Sequence, residues 1–247
     1  DVQCVSVTEQ WAQFSVAGPR ARDLVQSVLD ADLSDAALPY MACAEVPVMG
    51  VPGRVFRISF SGERAYELAV PARFGASLHR LLVAYAESLG GGPYGMEALN
   101  VLRIEKGYIT HAEIHGRTTA FDIGMERMVS QRKDCIGWAA SRRPGLLDDG
   151  REQLVGLRPL QRTGAVTAGA HLYRRDDPAR RGNGPGYVTS ACWSPTFDTP
   201  LALAFLKRGR SRHGEVVRLV DAMRGHETPC EVTDPVFLDP EGGRLRG

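Results

Sequence analysis

The stretch from Arg54 to Tyr108 places the strongest constraint on the fold, because two β-prone runs are followed there by two helical segments. The runs at 54–60 and 65–70 are joined by a short glycine-containing link, which predicts a β-hairpin. In segment 74–89 the apolar residues recur at positions i, i+3, i+4 and i+7 before a run of glycines at 90–92, which predicts a helix and its end. The segment 95–107 is predicted to be a second helix.

A carboxylate in the second run needs an explanation, because Glu67 lies between the apolar residues Tyr66 and Leu68 and buried carboxylates require partners. Strand alternation allows Glu67 to face water, or to pair with Arg54 across the hairpin. A carboxylate in a pocket wall can instead accept two parallel N–H bonds from an amino-pyrimidine edge, such as that of a pterin. Periodicity leaves these interpretations open.

The C-terminal part of the chain has a different sequence pattern, with short β-prone runs separated by frequent glycine and proline. The six predicted strands are 154–157, 169–173, 186–192, 201–206, 215–220 and 230–237. Such a pattern predicts a small antiparallel barrel or sandwich. The polar stretch 148–151 follows Pro144 and Gly145, so we predict a domain boundary there, between residues 1–150 and 151–247. The expected fold class is α+β, with a mixed α/β domain followed by a small antiparallel β-barrel.

Further elements are predicted from local signals in the first domain. Residues 11–16 and 45–49 read as strands, and Gly18-Pro19 is predicted to begin a helix with proline near its first turn. Residues 133–143 are predicted to form a helix with Asp134 near its N-cap. The stretch 174–181 combines arginines, aspartates and a proline, which is typical of a solvated loop or a partner contact.

Composition excludes several classes of function. Thirty basic and twenty-nine acidic residues give a net charge of +1, so we expect no nucleic-acid partner and no membrane partner. The five cysteines include no CxxC pair, and His111 and His115 are not part of an HExxH motif, so neither a disulfide framework nor a metal site is expected. A reducing, cytoplasmic setting is the simplest interpretation. No GxGxxG motif follows a strand, so this chain is not expected to bind a dinucleotide.

The order of the longer motifs resembles the folate-binding fold of the glycine-cleavage T-protein (aminomethyltransferase) superfamily. The matching stretches are 60–68, 95–108, 186–196 and 200–204. Within this superfamily, the sequence Leu-Arg-Ile-Glu-Lys-Gly-Tyr at 102–108 is similar to the amine-oxidising members. The resemblance is to the C-terminal half of the α subunits of heterotetrameric sarcosine oxidases.

The resemblance implies a tetrahydrofolate pocket between the domains, with three contacts on this chain. Glu67 matches the glutamate that holds the pterin edge, Phe60 supplies an aromatic face near the ring, and Tyr108 matches a pocket tyrosine. Leu99 departs from the family because aminomethyltransferases carry a folate-binding arginine at that position. Trp193 lies in the second signature block, where an aromatic can line the pocket, although core packing is the expectation. The family's catalytic aspartate lies upstream of residue 1, so we expect this chain to be part of a longer protein and to bind folate weakly alone.

The resemblance also implies a reaction. A flavin elsewhere in the complex oxidises sarcosine to an imine, and this chain converts the one-carbon imine into 5,10-methylenetetrahydrofolate plus glycine. FAD, FMN and NAD are expected elsewhere in the complex, which contains the β, γ and δ subunits. Two alternatives remain: a stand-alone aminomethyltransferase of the glycine cleavage system, and a non-catalytic folate-binding regulatory module. The sequence leaves open which N-methyl amine is the substrate.

Overall fold

The computed structural model describes residues 1–130, 132–180 and 182–246. They form two compact units, the first made of residues 1–102 with the C-terminal segment from Glu241, and the second of residues 103–240. The boundary between these units falls within a helix, whereas the barrel of the second unit begins at Glu152. The domain boundary that we predicted after residue 150 stays a prediction.

The first unit is built on a four-stranded antiparallel sheet in the order β1-β4-β3-β2. Its strands are β1 (Trp11–Ala17), β2 (Cys43–Val48), β3 (Val51–Phe56) and β4 (Ala65–Pro71), and its helices are α1 (Ala21–Gln26), α2 (Gly75–Ser88) and the start of α3 (Met96–Glu105). One sheet face packs against the helices through Tyr66 and Leu68, both fully buried, and through Leu78 and Leu82 of α2. The alternation of β4 therefore places Glu67 on the opposite face.

The predicted hairpin is confirmed as the β3–β4 pair, but its connection is longer than expected. The ladder ends at the pair Phe56–Glu67, so residues 57–64, including Phe60, form a loop. The serine hydroxyls offer the backbone other bonding partners, since the Gly62 N–H donates to Ser59 Oγ at 3.2 Å and the Glu63 N–H to Ser61 Oγ at 3.3 Å. Such local bonds compete with a strand ladder.

Both predicted helices in the Arg54–Tyr108 stretch are confirmed, and both end in the same motif. The Gly91 N–H donates to Ala86 O at 2.8 Å beyond α2, and the Tyr108 N–H donates to Arg103 O at 2.8 Å beyond α3. Each is the six-to-one bond of a Schellman motif, which requires a left-handed residue just before the donor. Gly90 and Gly107 supply it, with φ of 79° and 72°.

The second unit contains a closed antiparallel barrel with the strand order β10-β5-β8-β7-β6-β9. All six predicted strands are present, as β5 (Glu152–Pro159), β6 (His171–Arg174), β7 (Gly186–Ser194), β8 (Thr199–Lys207), β9 (Val216–Asp221) and β10 (His226–Thr233). The interior is filled by aliphatic side chains that are almost completely buried: Val155, Leu157, Leu172, Leu206, Val217 and Leu219. A barrel is therefore formed, and the sandwich alternative is wrong.

Two local predictions need correction. The helix expected over 133–143 is limited to α4 (Trp138–Ser141), because Gly137 adopts φ 90° at its N-terminal end, and Asp134 does not cap it. Pro19 lies before α1 and not in its first turn. The last helix, α5 (Gly243–Arg246), belongs to the first unit. Of the predicted loop 174–181, Arg181 lies outside the described residues.

The two left-handed glycines provide a matched pair of substitutions. A Cβ at Gly107 would lie 2.6 Å from Pro235 O, whereas a Cβ at Gly90 meets no atom within 4 Å. We predict that Gly90→Ala costs about 1–2 kcal/mol through left-handed strain, and that Gly107→Ala costs about 1–3 kcal/mol more through overpacking. Urea unfolding of both variants measures the difference. Equal destabilisation would contradict the tight contact at Gly107.

Candidate functional site

The face of the first sheet that points away from the helices carries a polar row. Ser15 of β1 is the register partner of Glu67, which in turn faces Phe56 of β3. Residues paired in this way project from the same sheet face. Gln13 lies two positions before Ser15 and shares that face. The row is half-buried at Glu67, so its carboxylate is neither in bulk water nor in the apolar core.

Glu67 is bonded to β1 and not to Arg54, so the cross-hairpin ion pair is wrong. The side-chain amide of Gln13 donates to Glu67 Oε2. Arg54 instead donates to Glu45 Oε1 at 3.3 Å and lies 4.3 Å above the ring of Trp11. Within the described part of the chain, no hydrogen bond to Glu67 Oε1 is present, so one carboxylate oxygen can accept bonds from a ligand.

A cavity of about 540 Å³ lies along the edge strand β1 in the first unit and is lined by residues from both faces of that strand. Its walls come from β1, α2, the glycine-rich segment 89–96 and Leu99. Gln13 and Ser15 belong both to the polar row and to the cavity wall, and the Tyr94 hydroxyl donates to Ser15 Oγ at 3.2 Å. Glu67 is connected to the cavity through Gln13, although it is not itself one of the lining residues.

The other predicted site residues lie in different places. Phe60, in the β3–β4 loop, is 39% exposed. Tyr108 follows α3 in the second unit and is half-buried. Trp193 is 51% exposed, so the expectation of core packing is wrong. The structure therefore brings Glu67 and Phe60 into the first unit and Tyr108 into the second.

The end of α3 carries a buried charge network in the second unit. Arg103 Nη2 donates to Ser190 Oγ at 2.8 Å, and the Ser190 hydroxyl donates to Glu113 Oε1 at 2.6 Å. Arg103 Nη1 lies 3.6 Å from Glu113 Oε2. Burial lowers the pKa of Arg103, and the Glu113 carboxylate opposes that shift. An arginine remains charged under these conditions, so this is a desolvated ion pair bridged by a hydroxyl.

A second buried carboxylate lies beside this network and has its own partners. Glu105 accepts hydrogen bonds from Ser194 Oγ at 2.5 Å and Thr196 Oγ1 at 3.1 Å. Glu105 therefore has hydroxyl partners, whereas the ion pair of Arg103 is formed with Glu113. Burial followed by the Glu105 charge raises the pKa of the Cys192 thiol to about 12, so Cys192 is not a reactive thiolate at neutral pH.

Sequence reasoning missed three residues of these networks. Gln13 could have been found, because Gln13 and Ser15 alternate with Ala12, Phe14 and Val16 and so mark a polar face of β1. Ser190 and Glu113 had no such signal, because their contact joins residues 77 positions apart.

No metal site is formed by the described residues, since no group of three or more histidine, cysteine or acidic side chains converges among them. His115 contacts the Tyr187 hydroxyl at 3.3 Å and lies at a cavity of about 260 Å³ with Thr118. Thr119 donates to Asp122 Oδ2 at 2.9 Å. Among helices in the described ranges, none combines the length and the apolar character needed to cross a bilayer.

Comparison with models of known protein families identifies the class of protein to which the chain belongs. Residues 1–133 match the family model described as the GCVT N-terminal domain, and residues 152–239 match the glycine cleavage T-protein C-terminal barrel domain. The chain therefore belongs to the glycine cleavage T-protein family, which confirms the resemblance seen in the sequence.

Two relatives show which members of this family the chain is similar to. The chain is 46% identical over 248 residues to the sarcosine oxidase subunit alpha of Rhizobium meliloti (strain 1021), covering 99% of this chain and 25% of that protein. It is 33% identical to the aminomethyltransferase of Mycobacterium avium (strain 104), covering 92% of this chain and 59% of the relative. The chain thus matches the aminomethyltransferase-like part of sarcosine oxidase subunit alpha and spans about a quarter of that relative's length.

A solved structure supports the fold. The crystal structure of glycine cleavage system aminomethyltransferase T from Bartonella henselae superposes with a TM-score of 0.75 at 23% identity, covering 93% of this chain and 60% of the other. The predicted fold class, a mixed α/β region followed by an antiparallel barrel, is confirmed.

The wall of the smaller cavity contains an ion pair whose stability depends on pH. Arg151 donates to both carboxylate oxygens of Asp122 at 2.8 and 2.7 Å. Burial alone would raise the pKa of Asp122, but the bonds from Arg151 and Thr119 outweigh it and lower the pKa. The pair therefore stabilises the fold above the unfolded-state pKa of about 3.9, and this contribution is lost as pH falls through the lower folded-state pKa.

We predict that Asp122→Asn costs about 2 kcal/mol at pH 7, less than the ~3–5 kcal/mol of a fully buried pair because Arg151 is partly exposed. Urea unfolding at pH 7 and below pH ~4 measures the cost, which is expected to shrink in acid. Asp198→Asn is the control, since the pair Arg162–Asp198 is 67% and 65% exposed and exposed pairs contribute little. A cost that does not change with pH would contradict this assignment.

Proposed function

We propose that this chain is the tetrahydrofolate-binding part of a sarcosine oxidase α subunit. In this role it converts the one-carbon imine produced by oxidative demethylation of sarcosine into 5,10-methylenetetrahydrofolate plus glycine. Family membership and the 46% identity to a sarcosine oxidase subunit alpha support the proposal. The assignment of folate and of its contacts is our own inference.

The half-buried carboxylate of Glu67 is the observation that carries the proposal. It projects from the sheet face opposite the apolar core, is fixed by Gln13 and leaves Oε1 able to accept a bond. Oε1 suits one N–H group of an amino-pyrimidine edge, and the second lone pair of Oε2, beside the bond from Gln13, suits the adjacent N–H. Such charge-assisted, bidentate bonds combine strength with geometric specificity. An exposed surface glutamate would have neither the fixed orientation nor the partial desolvation.

The cavity along β1, the strand that fixes Glu67, also has the size that a reduced pteridine needs. The adjacent cavity of about 540 Å³ falls within the roughly 300–1,000 Å³ that is usual for small-ligand sites. Its lining is largely apolar, and its polar side chains are Gln13, Ser15, Arg20, His79 and Tyr94. Phe60 and Tyr108 are the predicted aromatic contacts of the ring.

When bound, tetrahydrofolate supplies the nitrogen nucleophiles that accept the one-carbon unit. The contribution of this chain is to hold and orient the ring. Glu67 fixes the pyrimidine edge, so the opposite side of the ring system is directed towards the incoming imine. An apolar wall limits the access of water, which would otherwise hydrolyse the imine. We assign no catalytic acid or base to residues of this chain.

The proposal also covers the setting of the protein. FAD, FMN and NAD belong to other parts of the complex, and the β, γ and δ subunits are the proposed partners, in keeping with the subunit names of the relatives. We place the protein in the cytoplasm, since all five cysteines are free thiols and a reducing compartment maintains them.

A stand-alone aminomethyltransferase is the weaker alternative. The identity to such an enzyme is 33%, against 46% for the sarcosine oxidase subunit. The cavity wall contains Leu99, where the sequence resemblance implied an arginine in aminomethyltransferases. No observation specifically favours the regulatory module.

We predict that Glu67→Gln weakens the binding of 5-formyltetrahydrofolate, a stable reduced folate, by about 1–3 kcal/mol through loss of a charge-assisted bond. Isothermal titration calorimetry on the full-length protein is the measurement. Glu45→Gln is the matched control, because Glu45 lies on the same sheet with its side chain 81% exposed and is expected to leave affinity unchanged. Equal affinities for Glu67→Gln and the unaltered protein would remove Glu67 from the site.

A further inference from the structure

We infer that Arg103 is a positioning residue for Tyr108, and that Ser190 holds Arg103 in the conformation that achieves this. The inference rests on the proposed function, because the role of Tyr108 as a folate contact is part of that proposal. It assigns a purpose to three buried side chains, Arg103, Glu113 and Ser190, that the proposed chemistry does not otherwise use.

Arg103 bonds to both backbone polar groups of Tyr108. The Tyr108 N–H donates to Arg103 O at 2.8 Å, and Arg103 Nη1 donates to Tyr108 O at 3.3 Å. Between them, Gly107 turns the chain with φ 72°. The backbone of Tyr108 is therefore fixed relative to the last turn of α3, from which its side chain takes its direction.

The guanidinium is held by a chain of hydrogen bonds that returns to the same segment. Ser190 accepts a bond from Arg103 and donates one to Glu113 Oε1. The other oxygen, Glu113 Oε2, accepts from the Thr110 N–H at 2.8 Å. Thr110 is two residues beyond Tyr108, so the network closes a ring around the segment 108–110 and fixes both of its ends.

A β-bulge supplies Ser190 at the required place. Val188 pairs with Ala204 and Ser190 with Leu203, so Thr189 is the extra residue of β7. A bulge reverses the alternation of the strand beyond it. Val188 and Ala191 consequently both contact the barrel core, and Ser190 is turned outwards to Arg103.

Burial makes this ring rigid. Arg103 is 5% exposed, Ser190 5% and Glu113 0%, so water cannot readily replace a lost bond. Partly satisfied polar networks are costly in such surroundings, which favours a single arrangement. The protein then loses little conformational entropy when a ligand binds to Tyr108, because the segment is already ordered.

The test is a double-mutant cycle on the full-length protein with 5-formyltetrahydrofolate as the probe. We expect Ser190→Ala to weaken binding about tenfold, the scale of one hydrogen bond to a charged group. In a Tyr108→Ala background, the same substitution is expected to have little further effect, because it acts through Tyr108. Ser190→Thr retains the hydroxyl and should restore binding.

Thr189→Val is the matched control, because it also removes a hydroxyl from β7, one that donates to Leu203 O at 3.0 Å outside the network. It should leave affinity unchanged. Melting temperatures of all variants separate lost stability from lost positioning. Unchanged affinity in Ser190→Ala, or an equal loss with and without Tyr108, overturns the inference alone. Absence of folate binding by the unaltered protein overturns the proposed function and the inference together.

Discussion

Arg103, Glu105 and Glu113 bring three charged side chains into an interior from which water is excluded, and the second unit depends on how they are bonded. Two strand hydroxyls, Ser190 and Ser194, both supplied by β7, meet this requirement. Because an unpaired buried charge is costly, the end of α3, the following loop and the barrel wall must form together. The last residues of α3 accordingly belong to the same compact unit as the barrel.

In the first unit, the two faces of strand β4 have different surroundings. Tyr66 and Leu68 are committed to the apolar core, and strand alternation then places Glu67 on the other face. Gln13 fixes this carboxylate from the neighbouring strand. A single strand thereby contributes to stability with one face and, in the function proposed here, to recognition with the other. The cavity along β1 is lined by residues of that strand together with α1, α2 and the glycine-rich segment.

Much of the fold could be predicted from the sequence, because its signals are local. The helix stops at Gly90 and Gly107, the β3–β4 hairpin and the six barrel strands all follow from periodicity and turn residues. The failures have physical reasons: Gly137 limits α4, and serine hydroxyls end the β3 ladder before Phe60. Of the site, the position of Glu67 in a strand could be predicted, but its bond to Gln13 and the bulge that aims Ser190 arise from strand register. Register joins residues that are distant in the chain, and one sequence contains no direct record of it.

The central claim is that a strand carboxylate recognises a reduced pteridine. A crystal structure of the full-length protein with 5-formyltetrahydrofolate tests this claim most directly. The account predicts that the pyrimidine edge of the ligand lies within hydrogen-bonding distance, about 2.7–3.2 Å, of the Glu67 carboxylate, with the ring beside Phe60. A ligand bound elsewhere, with the Glu67 side chain still held only by Gln13, would contradict it.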